Sequence, residues 1–230
     1  MGDSTYVLVH GAWGGAWSWR DVGRELSRRS VAFIAVNLPS STRGAEPTTS
    51  LADDALAVSA VAQDLGPVVL VGHSYGGAVI TEAAASVENL ERLVYVAAFV
   101  PNLGQSVTEA SREVPVRTLL DEAIEVDGEY LRLNPERSTA ALYHDCDDET
   151  ARWAVSMHST QTTKSLRGAR SAPEVDVVSQ YVSCQNDRAV DPEIQKLMAA
   201  RCRFRTNLLS GHTPQLSQPI QLCDVMLSRP

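Results

Sequence analysis

Short runs of apolar, largely β-branched residues recur along the chain at 6–9, 31–36, 68–71, 93–99, 177–184 and 204–209, separated by longer amphipathic stretches. Each run is continuous rather than alternating. That is the pattern of a strand buried on both faces of a parallel sheet, and several of the intervening stretches are long enough for a crossover helix. Six mostly parallel strands flanked by helices, an α/β fold, are predicted. The spacing jumps between the fourth and fifth runs. Residues 101–173 hold helical patches at 116–124 and 148–160 and no run that reads as a buried strand, so a helical cap inserted after the fourth strand is expected there. Asp147, Asp148 and Glu149, just ahead of Trp153, Val155 and Met157, mark a helix start whose dipole favours negative charge.

Composition narrows the function. A chain of 230 residues, 44% hydrophobic and 21% charged, suits one folded domain over 1–230 with a core large enough to need no staples. Twenty Lys and Arg against 28 Asp and Glu leave a net charge of −8, a field that repels phosphate backbones and anionic lipid, so neither nucleic acid nor a membrane is an expected partner. No apolar run approaches the ~18 residues that a bilayer span requires. The first residues lead into 6–9 without a basic segment or cleavage site, and Tyr6 stands where N-myristoylation needs Ser or Thr, so a cytoplasmic protein without leader or lipid is expected. Cys146, Cys184, Cys202 and Cys223 are widely spaced and lack the spacing of a zinc site; they are read as reduced and structural, and no metal is expected.

The chemistry centres on Gly72-His73-Ser74-Tyr75-Gly76-Gly77, which lies between the run at 68–71 and a helical stretch at 78–85. Strand, G-x-S-x-G and helix together describe a nucleophile elbow, a tight turn in which Cβ atoms at Gly72 and Gly76 would strike neighbouring strand and helix. Phosphate-cradling patterns, G-x-x-x-x-G-K-[ST] and G-x-G-x-x-G, are absent from the sequence. A serine hydroxyl needs a base, and the base needs an acid that fixes its tautomer. Both follow in order. Asp187 lies after the fifth run and His212 after the sixth. Asp191 competes with Asp187, but Asp191-Pro192-Glu193 reads as a helix cap. His10 and His73 flank strand ends, and His144 and His158 belong to the cap. Two backbone N–H groups should face the developing oxyanion: Tyr75, after the nucleophile, and Ala12, in the glycine-rich turn after the first strand.

With VLVHGAWGGAWSW at 7–19, VGHSYGG at 71–77, QND at 185–187 and SGHTPQLSQP at 210–219, the chain resembles the α/β-hydrolase superfamily, in particular its compact branch of methylesterases and hydroxynitrile lyases. The resemblance implies Ser74, His212 and Asp187 as a catalytic triad, Ala12 and Tyr75 as the oxyanion hole, and hydrolysis without a cofactor. Lyase members of the branch carry Thr at the position of Gly11 and Lys at the position of Thr213. Both departures favour an esterase. A lysine would supply positive charge for departing cyanide, which Thr213 cannot.

The expected substrate is a small, largely apolar or aromatic ester, with Trp13, Leu119, Tyr130, Trp153, Met157 and His158 expected to contact it, and Leu120, Leu131 and Tyr143 as further walls. The same residues at helical spacing also suit a simple core. A second copy of the chain in a homodimer is the one protein partner considered. Two other functions stay open: a lyase, lactone-forming or cyclising enzyme using Ser74 and His212 for acid–base work, and a non-catalytic ligand receptor on the same scaffold.

Overall fold

The structure, a computed structural model, describes residues 4–228. The reading of the first residues as leaderless, and the outer limits of a domain over 1–230, lie partly outside that range. The first half alternates strand and helix: β1 (Thr5–Val9), α1 (Arg20–Arg28), β2 (Phe33–Val36), α2 (Leu51–Gln63), β3 (Val68–His73), α3 (Tyr75–Ala83) and β4 (Leu90–Val96). A long excursion follows, with α4 (Val107–Ala110), α5 (Leu119–Ala123), β5 (Ile124–Asp127), β6 (Tyr130–Leu133), α6 (Pro135–Leu142), α7 (Asp148–Ser156), β7 (Gln161–Thr162) and α8 (Thr163–Arg167). The chain then returns through β8 (Val178–Cys184), α9 (Pro192–Ala200), β9 (Phe204–Leu208), α10 (Pro214–Ser217) and α11 (Pro219–Leu227).

β1, β2, β3, β4, β8 and β9 form one parallel sheet in the order β2-β1-β3-β4-β8-β9. Its central strands are apolar on both faces because both faces are covered. Leu70 packs with α2, α3 and α9, through Val58, Ile80 and Met198, while Val69 and Val71 face α1 and α11, through Leu26 and Met226. Fully burying each such side chain contributes about 1.5–3 kcal/mol. Strand order reverses between β1 and β3, so the loops at their C-terminal ends diverge and leave a crevice, the usual place for a ligand site in an open α/β sheet.

Three boundaries shift for local reasons. β2 starts at Phe33 because α1 ends in a turn through Ser30, at φ 58°, with the Val31 N–H donating to the Leu26 carbonyl. β4 ends at Val96, not at Phe99, because Ala97 turns to φ 44° while the Phe99 N–H donates to the Ser74 carbonyl. β9 ends at Leu208, leaving Leu209 exposed.

The cap departs further from expectation. Instead of helices alone, it contains an antiparallel three-stranded sheet, β5-β6-β7, whose hairpin pairs Asp127 with Tyr130 and turns at Gly128-Glu129, with Gly128 at φ 60°. Glycine as the first of two turn residues, where φ is positive, is a hairpin signal, and it outweighs helix propensity in the segment. The predicted helix at 116–124 shrinks to α5, capped by Thr118, and the one at 148–160 stops at Ser156. Asp147 caps α7 through the Thr150 N–H, which explains the acidic run there. No helix among the described residues is long and apolar enough to cross a membrane.

Candidate active site

Ser74 sits between β3 and α3 at φ 53° and ψ −120°, a strained backbone for a residue with a side chain. Hydrogen bonds hold it there: its N–H donates to the Val96 carbonyl at 3.1 Å, and its carbonyl accepts from Gly77 at 3.0 Å and Phe99 at 3.1 Å. The turn closes because its glycines have no side chain. A Cβ on Gly72 would lie 2.5 Å from the Gly76 carbonyl oxygen, and one on Gly76 would lie 2.6 Å from the carbonyl oxygens of Val9 and His10. These obstacles are backbone and cannot swing aside. Gly76→Ala should therefore cost about 2–3 kcal/mol and lower Tm by roughly 5–10 °C, read by thermal melts of the two purified proteins; an unchanged Tm would mean the elbow is looser than described.

Asp187 and His212 are brought together from the ends of β8 and β9. His212 Nδ1 donates to Asp187 Oδ2 at 2.8 Å, with both side chains buried. The carboxylate is pinned on both oxygens. Oδ1 accepts the N–H groups of Ala189 at 2.7 Å and Val190 at 2.9 Å, and Oδ2 also accepts Gln195 Nε2 at 2.8 Å. Asp191 instead caps α9, accepting the Glu193 N–H at 2.8 Å. With Nδ1 carrying the proton, neutral His212 presents a bare Nε2. Ser74 and His212 line one small recess of about 30 Å³. No hydrogen bond joins their side chains among the described residues, a contact that commonly tightens when substrate binds.

Two further histidines shape this corner without being free to titrate near neutral pH. His73 Nε2 donates to the His212 carbonyl at 2.8 Å, its Nδ1 accepts from Gln215 Nε2 at 3.2 Å, and its ring lies 4.6 Å from that of His212. Burial, reinforced by the nearby His212, holds its pKa well below the usual 6.5. A neutral ring here spares a protonated His212 a cationic neighbour. His10 accepts the Leu38 N–H at Nε2 and donates from Nδ1 to the Gly11 carbonyl, and burial pushes it down to about 4. His158, half-buried against the Tyr143 hydroxyl, is also pushed down to about 4 by loss of solvent. These groups stay neutral in the fold while an unfolded chain protonates them, so the stability they contribute is full above pH 6.5 and falls away as the pH drops towards 4. Thermal melts from pH 7.5 to 4 should show that loss, and His158→Gln should flatten it; a Tm insensitive to pH in this window would refute the linkage.

The turn after β1 supplies an unpaired donor. Trp13 takes a φ of 60°, and its N–H goes to Gln161 Oε1 at 3.2 Å, its indole N–H to the Leu131 carbonyl at 3.0 Å and its carbonyl to the Ser159 N–H. The Ala12 N–H has no acceptor among the described residues, nor does that of Tyr75, the first residue of α3, where no intrahelical acceptor exists. The Tyr75 side chain points away, donating to buried Asp54 at 2.6 Å. Around these donors a larger cavity, about 690 Å³, continues from Ser74, Ala12 and Trp13 between the sheet and the cap. Phe99, Val107, Leu131, Leu166 and Ile194 give it apolar walls.

Several expected contact residues lie elsewhere. Trp13 lines both spaces at Ser74. Leu119 points outward, and its neighbour Leu120 takes the wall. Tyr130 donates to the Ala45 carbonyl and, with His158, borders a separate outer recess. Trp153 packs edge-on to Trp17 under Arg20, and Met157 is exposed. Leu131, on the β6 strand of the hairpin, and Tyr143, after α6, line the two spaces at Ser74 in place of those five. Two supports were not foreseen. Gln195 bridges Asp187 to the Cys184 and Val190 backbone, and Asp145 accepts the Gly211 N–H at 2.6 Å beside His212. Nothing in the local sequence marks either one, because both act across the fold.

The sequence profile of the alpha/beta hydrolase family matches residues 6–225. The chain belongs to that family. An alpha/beta hydrolase of Aspergillus novofumigatus is 27% identical over 230 residues, covering 93% of this chain and 91% of the fungal protein. Methylesterase 7 of Arabidopsis thaliana is 28% identical over 248 residues, covering 96% and 94%. The crystal structure of a pyrethroid hydrolase from Sphingobium faniae superposes with a TM-score of 0.83 at 21% identity, covering 97% of this chain and 95% of that one, a likeness of fold. In this alpha/beta hydrolase the turns that carry Ser74, Asp187 and His212 thus lie at the carboxyl ends of β3, β8 and β9, with β4 between the first two.

Proposed function

We propose that this esterase-type hydrolase cleaves a largely apolar or aromatic carboxylic ester by acyl transfer through Ser74. The observation that carries the reading is the bare His212 Nε2, fixed by the Asp187 hydrogen bond of 2.8 Å and opening on the same recess as Ser74. His212 takes the Ser74 proton as Oγ attacks the ester carbonyl. The oxyanion is received by the Ala12 and Tyr75 N–H groups, each contributing about 3 kcal/mol to the transition state. Collapse expels the alkoxide, to which His212 returns the proton, and water activated by the same imidazole releases the acid. Asp187 holds His212 in the useful tautomer and stabilises its cationic form. The apolar cavity beside Ser74 suits a hydrophobic ester, and no step calls for a cofactor.

Gly11 and Thr213 weigh against cyanohydrin cleavage. A Cβ at Gly11 would lie 3.0 Å from Ser74 Cβ, so this turn is built for a residue without one. The Thr213 hydroxyl donates to the Leu142 carbonyl at 2.6 Å and brings no positive charge to the recess. The test is a fluorophosphonate probe followed by peptide mass spectrometry, in parallel with p-nitrophenyl acetate hydrolysis. An adduct confined to Ser74 and lost in His212→Ala is expected. A folded sample that stays unlabelled overturns the reading in favour of acid–base chemistry without an acyl-enzyme, or of ligand binding alone.

A further inference from the structure

A second cavity, about 310 Å³, opens where the segments leading out of β4 and back into β8 run side by side, and none of its lining residues lines the spaces at Ser74. Arg170 forms one wall and is 5% exposed. An arginine keeps its proton in a protein, so a full positive charge is buried here, which is costly unless it is paired. Its protein partners leave most of its five N–H donors unused. Nη1 donates to the Pro101 carbonyl at 3.1 Å, and Nε, itself buried, has no acceptor among the described residues. The Glu174 carboxylate is 3.9 Å from Nη1, beyond hydrogen-bond reach, on a side chain 83% exposed.

Other carboxylates nearby are already engaged. Glu82 accepts the N–H groups of Ser171 and Ala172 and the Ser171 hydroxyl. Glu113 holds Arg201, across the cavity, through two bonds of 2.7 and 2.8 Å. The remaining walls mix apolar side chains, Leu93, Val100, Val175 and Val177, with polar ones, Thr81, Asn102 and Ser179.

We propose that this cavity is a second ligand site, taking the carboxylate of a small apolar organic acid onto Arg170. The planar guanidinium matches a carboxylate fork, and Leu93, Val100, Val175 and Val177 offer a hydrocarbon body contacts that a bare inorganic anion cannot use. The bound acid would bridge the outgoing and returning segments of the cap, away from the serine.

Thermal midpoints measured with benzoate, isovalerate, inorganic phosphate or chloride at one ionic strength test this site. The two organic acids should raise Tm by about 3–6 °C at ten times their dissociation constant, with little response to phosphate or chloride. Arg170→Gln should abolish the response. Glu174→Gln, on an exposed side chain, removes the carboxylate that competes for Arg170 and should tighten benzoate binding about threefold, with p-nitrophenyl acetate hydrolysis unchanged. Should Arg170→Gln fail to fold, Glu174→Gln decides the matter. A dissociation constant equal to that of the unaltered protein would mean that Arg170 is a structural clip or that benzoate binds at Ser74. Equal shifts from phosphate and benzoate would also overturn the proposal, and neither result bears on the serine chemistry.

Discussion

Ser74→Ala is expected to lower kcat for p-nitrophenyl acetate by about 10⁵-fold or more, to a residue that the oxyanion donors and binding sustain without a nucleophile. The loss should be chemical and not structural. The elbow is held by backbone hydrogen bonds of Ser74, which alanine keeps, and the left-handed φ of 53° costs alanine much what it costs serine. Tm should stay within a few degrees, and the fluorophosphonate adduct should disappear. A variant that retains a tenth of the activity would remove Ser74 from the reaction.

Asp187→Asn should lower kcat by about 10⁴-fold, and the hydrogen-bond pattern around Asp187 says why. Oδ1 accepts two backbone N–H groups, so an asparagine must place its carbonyl oxygen there and its amide nitrogen at the Oδ2 position. That nitrogen then faces two donors, Gln195 Nε2 and His212 Nδ1. Gln195 is not free to turn over, because its Oε1 accepts the Cys184 N–H at 2.9 Å. His212 must respond by moving its proton to Nε2, the wrong nitrogen for receiving one from Ser74. Stopped assays across pH, with circular dichroism to establish folding, read the effect. A loss below tenfold in a folded variant would mean that His212 does not depend on Asp187 for its tautomer.

How far each feature could be read in advance depended on whether its physics is local. The elbow was legible because its requirements fall within six consecutive residues: glycines where backbone crowds backbone, and a serine between strand and helix. Asp187 was separable from Asp191 because Pro192 marks a helix start, and the structure gives Asp191 the capping bond. The cap was less legible. Its helical patches carry weak periodicity, and the turn at Gly128-Glu129 makes part of the segment a hairpin whose Leu131 lines the cavity, while Trp153 packs on Trp17 and Met157 is exposed.

The order of the sheet's strands, the strained turn at Ser74 and the positions of Asp187 and His212 after the last two strands of the sheet are properties of the sequence by itself. They depend on periodicity, glycine and chain order, all of which act over a few residues. The tertiary structure alone decided which groups meet. Gln195 on Asp187, His73 under the His212 carbonyl, Asp145 on Gly211 and Gln161 on the Trp13 N–H are contacts between segments 8 to 148 residues apart. Buried polar atoms must find partners wherever packing delivers them, and no local pattern records that choice.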